Sequence, residues 1–238
     1  MMGGDYMGNY YSENLNATKL FDVYQTEIIR VRQYLDAEIE FVRSQLYFND
    51  KILEMGAGYG RIMKEISPSV QFISGIDISE NTVAFGQEYL KEYLNCDLKT
   101  LDVYKLDKDS EYDAVLCLQN GISAFKGRDL ELIDIAMKAL KNNAKAYFSS
   151  YSEAFWEYRL AWFQEQAQKG LLGEIDYEKT KNGNIVCKDG FSATTFSKSD
   201  MERLGKASGY DYVIREIDNS SIFLIIQKTN SEKSAAYK

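Results

Sequence analysis

The stretch "ILEMGAGYGR" at residues 52–61 decides the fold of this chain. Three glycines occupy every second position behind an apolar run that carries one carboxylate, Glu54. A glycine-rich turn between a strand and a helix brings the backbone close to a ligand and directs helix N–H groups toward it. The stretch therefore predicts a strand, a ligand-binding turn and a helix that begins at Arg61.

Two classes of ligand are held by turns of this kind. A dinucleotide fold has the spacing G-x-G-x-x-G, in which the third glycine allows close helix packing. In this chain Arg61 stands at that third position, and the glycines are instead Gly56, Gly58 and Gly60. Glu54 would repel a pyrophosphate but suits a cationic ligand. The turn therefore favours a cationic ligand over a dinucleotide.

Short apolar runs alternate with helical stretches after the turn, with helices predicted from 61, over 80–94 and over 128–140. This alternation is typical of a parallel sheet covered on both faces, and right-handed connections make it doubly wound. The last two apolar runs are joined by a short turn at 218–220, so they form an antiparallel hairpin. We predict an α/β fold with a doubly wound seven-stranded sheet, namely five parallel strands near 51–55, 71–77, 98–103, 112–118 and 144–150, and a C-terminal hairpin at 210–217 and 220–228.

A single domain is predicted over 1–238, because no Pro-, Gly- or Ser-rich stretch divides the chain. Helical spacing of apolar residues from Thr18 to Leu46 predicts one or two helices in an N-terminal cap, 1–48. The core follows at 49–150, and the final helix and hairpin at 198–229. Between them, 151–197 is predicted to be a small insertion with an aromatic-rich helix at 152–170 and a hairpin that turns near Asn182-Gly183.

The composition excludes several classes of protein. The chain has no histidine, which excludes Ser-His-Asp and Cys-His nucleophile systems and His-ligated zinc, and we predict no metal site. A net charge of −8 makes nucleic acid an unlikely partner. Apolar runs are far shorter than the roughly twenty residues of a membrane-spanning helix. We expect a cytoplasmic protein with reduced cysteines, and a homodimer stays open.

Four motifs in register resemble those of the class I S-adenosylmethionine (SAM)-dependent methyltransferases. The first, E/D-x-G-x-G-x-G, is unbroken from Glu54 to Gly60. "GIDIS" at 75–79 resembles the second motif, "LDVYKL" at 101–106 the third, and "YDAVLCLQN" at 112–120 the fourth. The chain is therefore similar to this family over residues 50–150, and its C-terminal hairpin is similar to the family's reversed seventh strand.

The resemblance implies a Rossmann-like methyltransferase fold and SAM as cofactor, with S-adenosylhomocysteine (SAH) as product. In the second and third motifs, Asp77 takes both ribose hydroxyls and Asp102 accepts from the adenine amino group. The end of the fourth strand lies near the transferable methyl. The implied cofactor contacts are Glu54, Gly56, Ala57, Gly58, Asp77, Ile78, Asp102, Val103, Leu118 and Gln119. The alternative is a tight turn whose carboxylates at Asp77 and Asp102 only cap helices.

One departure concerns the helix after the fourth motif, which usually ends in a Pro-Gly-Gly turn. This chain has "LKNNAK" at 140–145 instead. Asparagine adopts the left-handed conformation more readily than most residues, so Asn142 and Asn143 are predicted to end that helix.

Three further regions carry candidate site residues. "CLQNGISAF" resembles the matching stretch of glycine N-methyltransferase and its small-molecule relatives, which makes Gln119 and Asn120 candidates for orienting the methyl donor or the acceptor; the alternative is that they only finish the strand. At the N-terminus, "NYYSEN" resembles a tyrosine-bearing stretch that folds over the cofactor, which favours Tyr11. Some relatives place an arginine of the preceding helix on the cofactor carboxylate, a role open to Arg32 or to a solvated helix face.

The insertion carries many aromatic residues. Trp156 and Arg159 fall on one helical face, and Tyr151 precedes them. We predict that these three residues bind the acceptor; the alternative is an aromatic core between insertion and sheet.

The resemblance predicts transfer of a methyl group from SAM to a small molecule. Nitrogen is mildly favoured as the methylated atom over oxygen or sulfur, because a neutral amine needs no strong base and the chain has no histidine. No catalytic residue is assigned, and the candidates are Asn120, Tyr11 and Tyr151. Two alternatives are an enzyme of the same fold that acts on RNA or protein, and a cofactor-binding scaffold without turnover.

Overall fold

The structure is a computed structural model that describes residues 17–125 and 128–229. Two helices come first, α1 (Ala17–Val23) and α2 (Ile29–Arg43). The core then alternates strands and helices: β1 (Lys51–Met55), α3 (Arg61–Ile66), β2 (Phe72–Asp77), α4 (Glu80–Tyr89), β3 (Cys96–Thr100), β4 (Tyr112–Cys117), α5 (Asp129–Ala139) and β5 (Leu140–Tyr151). The rest comprises α6 (Trp156–Gln168), β6 (Ile185–Val186), β7 (Ser192–Ala193), α7 (Lys198–Ser208), β8 (Asp211–Ile217) and β9 (Ser221–Gln227).

The main sheet has seven strands in the order β3-β2-β1-β4-β5-β9-β8. β1 to β5 are mutually parallel, whereas β9 runs antiparallel to both β5 and β8. This confirms the predicted α/β sheet with five parallel strands and a C-terminal hairpin. The strand order changes direction at the centre of the sheet, where β1 and β4 are neighbours. In doubly wound folds, ligands bind at this point, outside the carboxyl ends of the strands.

Two hydrophobic cores cover the two faces of the sheet. On one face, Leu132 and Met137 of α5 and Met201 of α7 pack on Val115 and Leu224. The other face is covered by residues of α2, α3 and α4, such as Ile39, Ile62 and Val83. Helices cover both faces of the sheet, and the central parallel strands β1 and β4 are accordingly buried along nearly their whole length.

A third core joins the N-terminal cap to the insertion. Tyr34 of α2 packs against Tyr151 and Phe155, with ring centroids 5.3 and 4.9 Å away. Trp162 of α6 donates its indole N–H to the carbonyl of Val23 at 3.1 Å. The cap and the insertion therefore lie together above the carboxyl end of β5.

The end of the helix after β4 differs from the prediction. α5 ends at Ala139 and β5 begins directly at Leu140, so Asn142 and Asn143 do not end a helix. Asn143 does adopt a left-handed conformation, with φ of 65°, but it lies within β5 and donates its N–H to the carbonyl of Lys228. The pairing register between β4 and β5 shifts in this region. Asn143 therefore lies at an irregularity within β5, because this strand has already begun where the motif predicted a turn after the helix.

The hairpin of the insertion also differs in part. A tight turn does occur at Asn182-Gly183, where both residues have positive φ and Lys181 bridges to Asn184. The paired strands, β6 and β7, instead flank a second turn that contains Gly190 at φ of 94°. Asp189 holds that turn, because its carboxylate accepts from the N–H groups of Gly173 and Phe191.

Candidate active site

The glycine turn is held rigidly at the carboxyl end of β1. Gly56, Gly58 and Gly60 all have positive φ, at 73°, 55° and 83°. A residue with a Cβ adopts such angles only at a cost. The N–H groups of Gly56 and Ala57 bond the Ile76 carbonyl of β2 at 2.9 and 3.0 Å. The turn therefore presents a fixed backbone surface to the crevice.

Asp77 lies at the end of β2 and holds the same turn. Its two carboxylate oxygens accept from the N–H groups of Gly58 and Ser79, each at 2.9 Å. α4 is capped by the Ser79 hydroxyl and not by Asp77. Burial raises the pKa of Asp77, and the N–H groups of Ser79, Gly58 and Ile78 oppose that rise. Ile78 beside it is exposed over 63% of its surface.

Asp102, Val103 and Leu118 follow the ends of β3 and β4. The Asp102 carboxylate accepts from the Tyr104 N–H at 3.1 Å and caps a short 3₁₀ helix, so its alternative role as a cap is present in the structure. Val103 and Leu118 are buried. The predicted cofactor residues from the four motifs thus line successive strand ends of one sheet edge.

A buried charged group lies next to the turn. Glu54, at the end of β1, is 2% exposed, and its Oε2 atom has no hydrogen-bond partner among the described residues. Burial raises the pKa of Glu54 to about 8, although nearby Arg61 lowers it. The Arg61 guanidinium lies 4.6 Å from the ring centroid of Tyr24, which directly follows α1, and its Nε and Nη2 atoms have no partner within the described chain.

A second buried carboxylate lies beside the end of β4. Glu38 of α2 is fully buried, and its Oε2 accepts from the Gln119 N–H at 3.1 Å. The same N–H also bonds the Ser149 hydroxyl of β5 at 2.7 Å. Three atoms here, Glu38 Oε1, Gln119 Nε2 and Tyr34 Oη, lack a hydrogen-bond partner among residues 17–125 and 128–229.

These unpartnered atoms carry the strongest indication of a ligand. A buried polar group without a partner costs about 1–3 kcal/mol, and native structures contain few of them. Here carboxylate, guanidinium, amide and phenol atoms lie beside the carboxyl ends of three adjacent strands, β1, β4 and β5. A ligand with both a cationic and an anionic group would satisfy them.

Asn120 is committed to contacts within the protein. Its amide donates to the Ser123 hydroxyl at 2.9 Å and to the Thr194 carbonyl at 2.8 Å, and it accepts from the Ser150 hydroxyl at 2.7 Å. Gln119 and Asn120 both have positive φ, at 53° and 62°. This pair therefore forms a constrained turn that joins β4, β5 and the insertion.

A cavity of about 540 Å³ opens beside the end of β5. Its lining includes three of the four predicted acceptor residues, Tyr151, Trp156 and Arg159, but not Asn120. The rest of the lining consists of polar groups of the insertion and the start of α7: Ser152, Glu153, Asn182, Gly183, Thr195, Ser197 and Asp200. The volume suits a small organic molecule.

Arg159 also organises the insertion. It is fully buried, and its guanidinium donates to the carbonyls of Gly183 and Ala193, at 2.7 and 3.0 Å, and to the Thr195 hydroxyl. The same group lies 4.5 Å from the ring centroid of Tyr151. Arg159 therefore has a structural role within the insertion and also forms part of the cavity wall.

Two predicted cofactor residues do not lie in the described crevice. Arg32 is on the exposed side of α2, because Val31, Tyr34, Leu35 and Glu38 take the buried face of that helix. Its neighbour Arg30 binds Asp218 in the C-terminal hairpin at 2.5 Å. Tyr11 lies outside the described residues.

The sequence analysis does not identify Arg61, Glu38, Tyr24 or Tyr34 as site residues. It uses Arg61 only to reject a dinucleotide, although an arginine on the first turn of the helix after the glycines already indicates a charge near the ligand. Glu38 carries a clearer signal, because it interrupts the apolar face of α2. Among the described residues no group of three or more acidic or cysteine side chains is arranged to hold a metal ion.

Comparisons with known proteins agree with this arrangement. A protein-family model described as "Methyltransferase domain" matches residues 52–143. A ubiquinone biosynthesis O-methyltransferase of Hydrogenovibrio crunogenus is 25% identical over 138 residues. That match covers 56% of each protein, so it spans little more than half the length of this relative.

Solved structures share the fold over nearly the whole chain. A DhpI complex with SAM and HEP superposes with a TM-score of 0.67 at 13% identity and covers 94% of this chain and 99% of DhpI. The Burkholderia thailandensis 1,6-didemethyltoxoflavin-N1-methyltransferase, with its bound substrate and SAH, gives a TM-score of 0.61 at 12% identity and covers 97% and 94%. At these identities the likeness shows the fold alone.

The family match over residues 52–143, the four motifs and the seven-stranded sheet together support a SAM-dependent methyltransferase of class I. In the part of the chain that the structure describes, no helix has the length and apolarity needed to span a membrane.

Proposed function

We propose that this protein binds SAM in the crevice at the carboxyl ends of β1 to β4 and transfers its methyl group to a small molecule. The observation that carries this proposal is the set of unpartnered buried atoms on Glu54, Arg61 and Gln119 around the glycine turn. SAM bears an ammonium, a carboxylate and a sulfonium. It therefore offers a cationic partner for the Glu54 carboxylate and an anionic partner for the Arg61 guanidinium.

The residues present fit each part of this cofactor. Asp77 and Asp102 would accept from the ribose and the adenine, as the family resemblance implies. Glu54 would accept from the ammonium group, and the Arg61 guanidinium would donate to the carboxylate, since charge-assisted hydrogen bonds to buried groups are the strong ones. The glycine turn allows the close approach. The walls are completed by Gln119, Ile78, Val103 and Leu118.

The bound cofactor supplies an electrophilic methyl group, which is the difficult part of the chemistry. The protein then acts mainly by holding the acceptor in line with that methyl. The rigid turn at Gln119 and Asn120 positions the end of β4, and the aromatic side chains of the insertion exclude water. We propose Tyr151, Trp156 and Arg159 as acceptor contacts, because all three line the adjoining cavity.

The acceptor is proposed to be a small molecule because of the cavity volume and the net charge of −8, which disfavours nucleic acid. Nitrogen is the proposed target atom on the chemical argument that a neutral amine needs no strong base. The relatives differ in this respect, since one is named an O-methyltransferase and another an N1-methyltransferase. Mass spectrometry of the product of a small-molecule screen would decide the atom.

The first test is calorimetric titration of the purified protein with SAH and, separately, with NADH. We expect saturable binding of SAH and none of NADH. Asp77→Ala should abolish SAH binding, because it removes the acceptor that holds Gly58 and is proposed to bind the ribose. Asp107→Ala is the matched control, since the Asp107 side chain is 92% exposed and its described ion pair is with Lys138.

Each outcome has a defined meaning. SAH binding that survives Asp77→Ala would place the ligand elsewhere, and binding of NADH would overturn the choice of cofactor. SAH binding without a methylated product from any small molecule, RNA or protein would favour a cofactor-binding scaffold over an enzyme.

A further inference from the structure

The crevice contains a buried carboxylate that SAM's amino-acid end does not require. Glu54 and Arg61 together can satisfy one ammonium and one carboxylate. Glu38 remains, fully buried on α2; the hydroxyls of Ser221 and Ser149 lie near its carboxylate, but no described donor makes a hydrogen bond to Oε1. The phenol of Tyr34, one helical turn earlier on the same face, is also buried and unpartnered there.

Glu38 lies on the side of the crevice that faces the acceptor cavity. Across the sheet, Asp77 ends β2 and Glu54 ends β1, whereas Glu38 bonds Gln119 after β4 and neighbours Ser149 of β5. Tyr34 contacts Tyr151 in the wall of the cavity. A bound SAM would have to present its methyl group to the acceptor, so its sulfonium would lie on the side of the crevice where Glu38 is.

Charge differs between the two forms of the cofactor at this position. SAM carries a sulfonium cation and a net charge of +1, whereas SAH has a neutral thioether and no net charge. In the crevice the carboxyl groups of Glu38, Glu54 and Asp77 lie near the guanidinium of Arg61, and a bound cation favours the ionised forms of these three groups. A site with excess negative charge favours the cationic form.

We propose that Glu38 makes the cofactor site selective for the sulfonium of SAM over the thioether of SAH. This inference rests on the proposed function, because it assumes that the crevice binds this cofactor. It assigns a specificity-determining role to a residue of the N-terminal cap. The consequence is that spent cofactor is exchanged readily for fresh cofactor after each transfer.

The environment of Glu38 gives this selectivity a pH dependence. Burial raises the pKa of Glu38 to about 7, opposed by the nearby hydroxyls of Ser221 and Ser149, the Gln119 N–H and Arg61. A nearby sulfonium would lower that pKa, so SAM binding near neutral pH should release more protons than SAH binding does, because the ammonium near Glu54 is common to both ligands. Among the described residues, the other titratable or charged groups facing this region are Tyr24 after α1, Tyr34 of α2, Glu54 of β1, Arg61 of α3 and Tyr151 of β5.

The test compares SAM and SAH binding by calorimetry in wild type, Glu38→Gln and Glu40→Gln. Glutamine keeps an oxygen that can accept from the Gln119 N–H but removes the charge. We expect Glu38→Gln to weaken SAM binding about tenfold or more while changing SAH binding much less. Glu40→Gln, which replaces an exposed glutamate on the same helix, should leave both affinities unchanged.

A second measurement needs no variant. The ratio of SAM to SAH affinity of the wild type should fall as the pH is lowered from about 8 to about 6, and titrations in buffers of different ionisation enthalpy should detect the released proton. If Glu38→Gln weakened the binding of SAM and SAH equally, or if the ratio of the two affinities did not change with pH, Glu38 would have only a structural role. Failure of the wild type to bind either ligand would instead contradict the proposed function.

Discussion

Glu54 has one meaning in the sequence and a second in the structure. In the sequence it is the acidic residue of a glycine motif, and in the structure it is a carboxyl group buried at 2% exposure beside Arg61. Desolvation favours the neutral form of such a group, whereas a cationic ligand favours the charged form. The residue therefore costs stability in the free protein and regains it in the complex.

Glu54→Gln should stabilise the free protein at alkaline pH. The folded-state pKa of about 8 lies above the ordinary value of 4.5, so the folded protein binds this proton more tightly than the unfolded chain does. The contribution of the Glu54 carboxyl group to the free energy of unfolding is fully present below its pKa in the unfolded chain, and it is lost as the pH rises toward 8. The variant avoids that loss, which is on the order of 2–3 kcal/mol. Urea unfolding at about pH 5.5 and about pH 8 without cofactor measures it.

The control for this prediction is Glu92→Gln, which replaces an exposed glutamate. Its unfolding curves should follow those of the wild type at both pH values. If Glu54→Gln also tracked the wild type, the carboxyl group would not be desolvated in the free protein.

At the level of elements, α4 shows where local preference and packing conflict. Gly86 lies inside this helix. At such a position glycine is less favourable than alanine by about 1 kcal/mol. A Cβ on Gly86 would lie 2.8 Å from the Tyr59 carbonyl oxygen and 2.4 Å from a Leu98 methyl. The helix therefore packs directly on the backbone of the glycine turn, and only glycine permits that distance.

Gly86→Ala should accordingly destabilise the protein by about 2–3 kcal/mol, despite the better helix propensity of alanine. Because the contact is with the ligand-binding turn, SAH affinity should fall as well. Thermal unfolding and calorimetry measure the two effects.

The control for this helix is Ala84→Gly, at an exposed position of α4. It should cost about 1 kcal/mol of stability, the usual penalty of glycine in a helix, and leave SAH binding intact. An increase in stability from Gly86→Ala would contradict the packing argument.

At the level of the whole molecule, the insertion and the N-terminal cap form one lid-like layer over the end of β5. Its core is aromatic, and Arg159 ties the layer together through bonds to three separated residues. Burial of an arginine is costly unless its hydrogen bonds are satisfied. The loss of these bonds should therefore loosen the layer as a unit.

Arg159→Met should lower the free energy of unfolding by about 2–3 kcal/mol, because the acceptors on Gly183, Ala193 and Thr195, one buried and two part-buried, lose this donor. SAH affinity should change little, since Arg159 does not face the glycine turn, whereas acceptor affinity should fall. Urea unfolding and calorimetry with the acceptor found in the screen measure these effects.

The matched control is Arg203→Met, at an exposed arginine. The Arg203 guanidinium lies 3.7 Å from the Asp200 carboxylate. Its loss should change stability by less than about 0.5 kcal/mol, because exposed ion pairs contribute little. Unaltered stability of Arg159→Met would assign Arg159 to the acceptor alone.

The sequence by itself determined the sheet, the glycine turn and the family resemblance. These features depend on local periodicity and on glycines that must adopt positive φ, and both are written in consecutive residues. The alternation of strands and helices then left few topologies, and the predicted doubly wound sheet with five parallel strands and a C-terminal hairpin is the one observed.

Only the tertiary structure decided which charged residues face the crevice. Arg32 and Glu38 lie on one helix, yet the helical phase turns the first toward solvent and buries the second. The bulge at Asn143 and the second turn at Gly190 likewise arise from partners distant in sequence, Lys228 and Gly173. Such contacts are set by how packed elements meet, and burial and pKa follow from them, so no stretch of consecutive residues encodes them.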